Sequence, residues 1–370
     1  MNTNVAKKFK RKIRGVNLGS WLVIEKWMVP NLFEGLAAVD EISFCLELGP
    51  KAEEILMRHW RTFITRDDFA WLAQIGINAV RIPVGHWIFG PDYPYHPAYG
   101  KQHYPYVVGG IETLDHAFDW AREFGLLIVL DLHAAPGCQN GFDNGGIKDV
   151  CDWPTKTEYI EHSLNVLERL AERYQYQSVL HGIEVLNEPR WDIKTSLLKQ
   201  YNQNALARIR KFCKQEDVAV VFHDGFRSYR EYTNFLSAPD YQNVIYDIHR
   251  YQCFAKEDIS LDFFGHLQKT IVDWKNEADE INQDRRDGAY VGEWSLGVNL
   301  SPRTSALLNK YPQRMDDFQT TVAYRAYAAS QLATFEKYLG WFFWSYKTET
   351  TPAWCFRDCV ERGWLPNKFF

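Results

Sequence analysis

Eight short apolar or β-branched runs recur along the chain, and their regular alternation with helical segments limits the folds open to it. They are Ile13–Leu18, Ala79–Val84, Leu126–His133, Gly182–Glu188, Val218–Asp224, Val244–Tyr251, Ala289–Trp294 and Gly340–Tyr346. Between them, Glu112–Phe124 sets Leu114, Phe118 and Ala121 on one helical face. Glu158–Tyr174 does the same with Ile160, Leu164, Leu167 and Ala171, and Asp317–Tyr338 with Val322, Tyr324, Ala328, Leu332 and Phe335. Eightfold strand–helix alternation points to an α/β fold closed into a (β/α)8 TIM barrel rather than an open doubly wound sheet. No Gly-x-Gly-x-x-Gly follows a strand, so nothing supports a nucleotide-binding fold. No Pro-, Gly- or Ser-rich linker divides the chain. The reading is a basic arm over residues 1–12 and one catalytic domain over 13–370. The segments Leu32–Met57 and Phe89–Gly110 are long for barrel connections. Both follow strand ends, so both are expected over the barrel mouth.

Composition removes several function classes. The net charge is −5, which leaves no electrostatic footprint for nucleic acid. The basic run Lys7–Lys12 is short and reads as a solvated arm. No stretch reaches the ~18 consecutive apolar residues of a membrane helix. No apolar signal region follows the arm, so the expectation is a cytoplasmic protein, or a secreted one whose leader has been removed. Seven cysteines without metal-type clustering read as free thiols. No obligatory protein partner is evident.

Polar residues gather where the runs end, and in a barrel those ends build the active site. In strand order they are Asn17, Trp21 and Glu25; Arg81; Asp131 and His133; Asn187 and Glu188; His223 and Asp224; His249 and Tyr251; Glu293; Trp344 and Tyr346. So many ionisable groups would be costly as core filler. Two of them, Glu188 and Glu293, form the carboxylate pair that cleavage of a glycosidic bond requires. Glu188 is expected as the acid/base, with its pKa raised by burial or by a neighbouring carboxylate. Glu293 is expected as the ionised nucleophile, held by Arg81 or a tyrosine hydroxyl. Asn187 is placed to meet a sugar 2-hydroxyl, and Trp344 to floor the reacting ring. His133, His249 and Tyr251 are expected to fix hydroxyls or tune the carboxylates. His223 and Asp224 read as support behind them, and Asp131 as structural. Strands four and seven face each other across a barrel, and carboxyl groups ~5–5.5 Å apart predict retention of configuration. Aromatic residues make up 15% of the chain, with 14 tryptophans, a content that suits stacking on sugar rings and equally a large aromatic core.

These motifs together resemble glycoside hydrolase family 5, and within it the exo-β-1,3-glucanase branch. They are Arg14–Glu25 (RGVNLGSWLVIE), Asn78–Pro83 (NAVRIP), Asp131–Gly137 (DLHAAPG), Gln139–Asn144 (QNGFDN), Asn187–Pro189, His249–Tyr251, Gly292–Trp294 and Phe343–Glu349 (FWSYKTE). The resemblance implies a retaining mechanism with Glu188 as acid/base and Glu293 as nucleophile. It implies that Arg81, His133, Asn187, His249, Tyr251 and Trp344 belong to the active site. Glu25 would bind the terminal glucose, Phe142 and Phe254 would clamp the next sugar, and neither a metal nor an organic cofactor is implied. The expected substrate is a β-1,3-linked gluco-oligosaccharide releasing single glucose units; the alternative is a β-glucosidase or diglycosidase acting on aryl, steryl, disaccharide-bearing or other small β-glucosides. The chain departs from that branch at Tyr346, where tryptophan is usual, and at Ser20, where glycine is usual.

Overall fold

The computed structural model describes residues 11–91, 104–284, 288–298 and 317–369. Eight parallel strands close into a barrel in sequence order: β1 Ile13–Asn17, β2 Ala79–Gly85, β3 Leu127–Ala134, β4 Leu180–Glu184, β5 Ala219–His223, β6 Val244–Arg250, β7 Ala289–Trp294 and β8 Gly340–Phe343. β1 pairs with β8 through Ile13 opposite Gly340, which completes the ring. Each strand is covered on both faces, which is why these runs are apolar throughout rather than alternating. All seven residues of β2 are buried.

The helices are α1 Glu41–Leu48, α2 Lys51–Thr62, α3 Arg66–Gln74, α4 Gly110–Phe124, α5 Thr157–Tyr174, α6 Thr195–Ile209, α7 Lys256–Ile259, α8 Phe263–Gln268, α9 Lys275–Asp284, α10 Asp317–Phe335 and α11 Phe356–Glu361. A π-helical segment, Lys269–Trp274, joins α8 to α9. The crossover from β5 to β6 carries one 3-10 turn, Tyr229–Tyr232. The periodic segments became α4, α5 and α10. The buried face of α5 is Tyr159, His162, Ser163, Leu164, Val166, Leu167, Leu170, Ala171 and Tyr174, the stripe an amphipathic helix turns to a core.

The Leu32–Met57 segment is largely helical. It contains α1 and half of α2, with a capping box in which Ser43 N–H donates to Asp40 at 2.8 Å. The middle of the Phe89–Gly110 loop, residues 92–103, and most of the basic arm lie outside the described residues.

The barrel interior is layered by the two-residue period of its strands. Ile13, Ala79, Val129, Ala219, Val221, Ile245, Tyr290 and Phe342 form one apolar plug. Two residues further along β2, β3, β5 and β6 the same inward positions are Arg81, Asp131, His223 and Asp247. Each of these four strands therefore leaves a dry floor and enters a polar layer in one step.

Candidate active site

Arg81 organises the polar layer. It is 1% exposed, and all five of its N–H groups have an acceptor. Nε donates to Glu184 Oε2 at 2.7 Å. Nη1 donates to Asn17 Oδ1 at 2.9 Å and Glu293 Oε1 at 3.0 Å. Nη2 donates to Asn187 Oδ1 at 2.8 Å and faces Asp131 Oδ2 at 3.1 Å. Burial opposes the guanidinium charge, but Asp131, Glu184 and Glu293 hold Arg81 protonated more firmly than usual.

His249 stands between the two expected carboxylates. Its Nδ1 donates to Glu188 Oε1 at 2.6 Å and lies 3.4 Å from Glu293 Oε2. These two oxygens are therefore at most 6.0 Å apart, the sum of the two distances. Nε2 of the same ring faces Asp247 Oδ2 at 3.5 Å. Burial lowers the affinity of His249 for its proton. The charge of Glu293, the Asp247 carboxylate facing Nε2 and the hydrogen bond to Glu188 reverse this, so its pKa stands well above the usual imidazole value. Glu293 Oε2 also accepts from Tyr251 Oη at 2.8 Å. Burial and the charges of Glu293 and Glu188 push the Tyr251 phenol upward, which keeps it a donor.

The raised pKa expected for Glu188 is absent in the unliganded site. Burial raises it, yet the hydrogen bond and charge of His249 bring Glu188 below the ordinary carboxylate value. Glu293 is displaced upward, by burial and by the Glu188 charge, against the pull of His249 and Arg81. Both shifts favour a protonated His249 donating to an ionised Glu188 in the resting site.

β4 ends at Glu184, four residues before the expected Glu188 terminus. Glu188 has φ of +41°, a left-handed conformation that costs a non-glycine residue on the order of 1–3 kcal/mol. Asn187 N–H donates to Leu132 O and Gln139 Nε2 donates to Asn187 O, bonds that hold this turn against β3. Gly292, before Glu293, has no room for a side chain: a Cβ there would overlap the Asp247 carboxylate, which accepts the Gly292 N–H at 2.7 Å.

The remaining expected residues surround this centre. His133 Nδ1 contacts Asp131 Oδ2 at 2.6 Å, and its ring stacks on Trp344 at 5.2 Å and 6°. Asp131, expected to be structural, bridges Arg81 and His133. His223 packs on His249 with ring centres 4.3 Å apart, in the supporting position expected. Glu25 accepts from Trp27 Nε1 at 2.9 Å. Burial first, then the charge of Asp143, raise its pKa well above the usual value. Ser20 has φ of +57° at the position where the resemblance expects glycine, and its hydroxyl accepts the Glu25 N–H at 3.0 Å. Tyr346 donates to Asp68 at 2.7 Å. Phe142 and Phe254 are exposed on loops after β3 and β6 and stay outside the hydrogen-bonded cluster. Phe254 sits edge-on to Tyr251 at 5.5 Å.

Sequence reasoning missed Glu184, Asp247, Asp143 and Asn144 as site residues. Asn144 Nδ2 donates to Glu188 Oε2 at 3.3 Å. The signal for Asp247 was present: it lies two residues before His249, on the same strand face, as Asp131 lies two before His133. Glu25 Oε1, His133 Nε2 and Asn187 Nδ2 are buried and find no partner among the described residues. Buried polar atoms left open in this way call for a partner, from water or from a bound ligand.

Among the described residues, two triads bring donor atoms close enough for a metal ion, Glu188–His223–His249 and Glu184–Asp247–His249. In each, a carboxylate already has a cationic partner, His249 for Glu188 and Arg81 for Glu184.

The chain resembles known proteins along most of its length. It is 35% identical over 382 residues to a probable glucan 1,3-beta-glucosidase A of Aspergillus fumigatus, covering 96% of this chain and 87% of that protein. It is 34% identical to a glucan 1,3-beta-glucosidase of Blumeria graminis, with the same coverage. Among solved structures, the rutinosidase of Aspergillus niger superposes with a TM-score of 0.75 at 18% identity, over 96% of this chain and 98% of that one, a likeness of fold. Residues 49–349 match the model of the cellulase family, glycosyl hydrolase family 5. With this match and the relatives above, the chain belongs to glycosyl hydrolase family 5 and is a glycoside hydrolase.

Proposed function

We propose that the protein is a retaining, exo-acting β-glucosidase that releases glucose from β-1,3-linked gluco-oligosaccharides, with Glu188 as acid/base and Glu293 as nucleophile. The observation that carries this reading is the pair of carboxylates meeting at His249. Their facing oxygens are at most 6.0 Å apart. Inverting enzymes separate their carboxyl groups by ~6.5–9.5 Å to admit a water, and retaining ones by ~5–5.5 Å. The linkage comes from the two glucan 1,3-beta-glucosidases to which the chain is similar.

The mechanism follows from the proton that His249 holds toward Glu188. In the resting site the negative charge of Glu293 is the chief influence favouring that proton. As Glu293 attacks the anomeric carbon, its charge passes into the new bond and the proton becomes easier to lose. It moves from His249 through Glu188 to the departing glycosidic oxygen. Glu188 is then a carboxylate beside a neutral imidazole, ready to take a proton from the water that hydrolyses the glycosyl-enzyme. Tyr251 and Arg81 hold one oxygen each of Glu293 and so fix the attacking lone pair. Asn187 Nδ2, His133 Nε2 and Glu25 Oε1, the unpartnered atoms, would take sugar hydroxyls, with Trp344 beneath the ring. Phe142 and Phe254 would flank the next sugar.

We assign residues 13–370 to the catalytic unit. No described helix is long and apolar enough to cross a membrane. All seven cysteines are free thiols, which supports a reducing compartment.

The test is glucose release from laminaribiose, cellobiose and gentiobiose, with an aryl β-glucoside as reference. Preference for laminaribiose supports the linkage. Equal turnover of all three, or turnover of the aryl glucoside alone, would remove it and leave the alternative of small β-glucosides.

A further inference from the structure

An exposed tryptophan, Trp191, lies three residues beyond Glu188 on the loop after β4. It is 59% exposed, and it follows a backbone that is tightly tied. Arg227, on the loop after β5, donates from Nη2 to Trp191 O at 2.8 Å and to Arg190 O at 3.3 Å, and also reaches Ile193 O. Its Nη1 donates to Gly225 O at 2.8 Å. One guanidinium therefore binds three carbonyls of the Trp191 loop and one of its own. On the opposite side Arg190 N–H donates to Gln139 O at 3.1 Å, from the loop after β3. Arg190 also grips Asp192 with two bonds, at 2.6 and 3.0 Å.

A lone exposed tryptophan needs no explanation. This one is held from both neighbouring loops, and each of the next two loops around the barrel also carries an exposed ring. Phe226, on the loop after β5, packs on His223, and His223 packs on His249. Phe254 follows on the loop after β6. Loops from consecutive strands are adjacent around a barrel mouth, so Trp191, Phe226 and Phe254 lie on three successive loops at the end of the barrel that carries His249.

We propose that Trp191, fixed by Arg227, is a stacking platform for a sugar of the leaving-group chain beyond the ring next to Glu188, and that it sets a preference for longer oligosaccharides. This rests on the β-1,3-glucosidase reading above. Two considerations define the side and the distance. Glu188 delivers its proton to the leaving oxygen, so the loop that continues from it borders the leaving group. Three residues span at most about 11 Å between Cα atoms, which keeps Trp191 within reach of an oligosaccharide chain that starts at Glu188. A flat amphipathic ring of fixed position pairs with the C–H face of a pyranose and loses little conformational freedom in doing so.

The experiment compares kcat/KM for an aryl β-glucoside, laminaribiose, laminaritriose and laminaritetraose. The proteins are the wild type, Trp191→Ala, Trp191→Phe and Arg227→Gln. Trp191→Ala is expected to lower kcat/KM about tenfold on the two longer substrates, through KM, and to leave the aryl glucoside within about twofold. Trp191→Phe should recover most of the loss. Arg227→Gln, which loosens the loop and spares the ring, should give the same length-selective defect. A wild type that favours longer chains while Trp191→Ala keeps that preference overturns the platform alone. A uniform loss on every substrate also overturns it. A wild type that hydrolyses the aryl glucoside and none of the laminari-oligosaccharides overturns the linkage reading and the platform together.

Discussion

Replacing Tyr251 with phenylalanine removes one oxygen from the centre and little else. The ring keeps its neighbours, Phe254 at 5.5 Å and Trp354 at 5.2 Å. What disappears is the donor 2.8 Å from Glu293 Oε2. The other short donor to this carboxylate, Arg81 Nη1 at 3.0 Å, serves Oε1, and His249 is 3.4 Å from Oε2. Glu293 is 4% exposed, so solvent does not readily fill the gap. A hydrogen bond to a charged group contributes about 1.5–3 kcal/mol, equivalent to roughly 10- to 150-fold in rate if it acts fully on the reacting state. We expect kcat/KM on an aryl glucoside to fall by about 10- to 100-fold. The sign of the pH effect follows from the same bond. A donor favours the ionised carboxylate, so its loss raises the Glu293 pKa further, and the acid limb of kcat/KM moves to higher pH. Kinetics from pH 4 to 9 measure both effects. An unchanged acid limb with undiminished kcat/KM would refute the idea that Tyr251 holds an ionised nucleophile.

Two more variants probe the surrounding charges. In His249→Asn the cation that most lowers the Glu293 pKa is gone, so the acid limb should also move upward, together with a fall in kcat; pH–rate profiles decide this. Glu41 accepts the Ile24 N–H at 2.9 Å beside Glu25, and burial raises its pKa to about 8. A carboxyl raised on folding stabilises fully below its unfolded pKa and loses that contribution as pH rises through the folded value. Glu41→Gln should therefore gain on the wild type between pH 5 and pH 8, as read by urea unfolding at the two pH values. A constant difference between the two proteins would contradict the burial argument.

The barrel was legible because its period is strong. Eight apolar runs with three clear amphipathic segments leave few alternatives, and every run contains a strand. The end of β4 was not legible. Val185-Leu186-Asn187 continues the apolar run in sequence, while the backbone leaves the sheet and reaches a positive φ at Glu188, a residue type that gives no sign of it. Glu184 was hidden for a related reason. Buried parallel strands lack polar alternation, so a single acid inside one reads as part of the run. Only the guanidinium of Arg81, which comes from another strand, reveals why Glu184 is tolerated. The pKa order of the two glutamates was beyond sequence, because it depends on His249 lying 2.6 Å from one and 3.4 Å from the other. The left-handed turn at Ser20 likewise emerged only with the backbone, and it explains why glycine would also suit that position.

The most direct measurement of the central claim is a proton NMR time course of laminaritriose hydrolysis, read before mutarotation. Carboxylates gathered on one histidine predict β-glucose as the first product, released from the chain end. A first product of α-glucose would mean inversion, and Glu293 would not be the nucleophile.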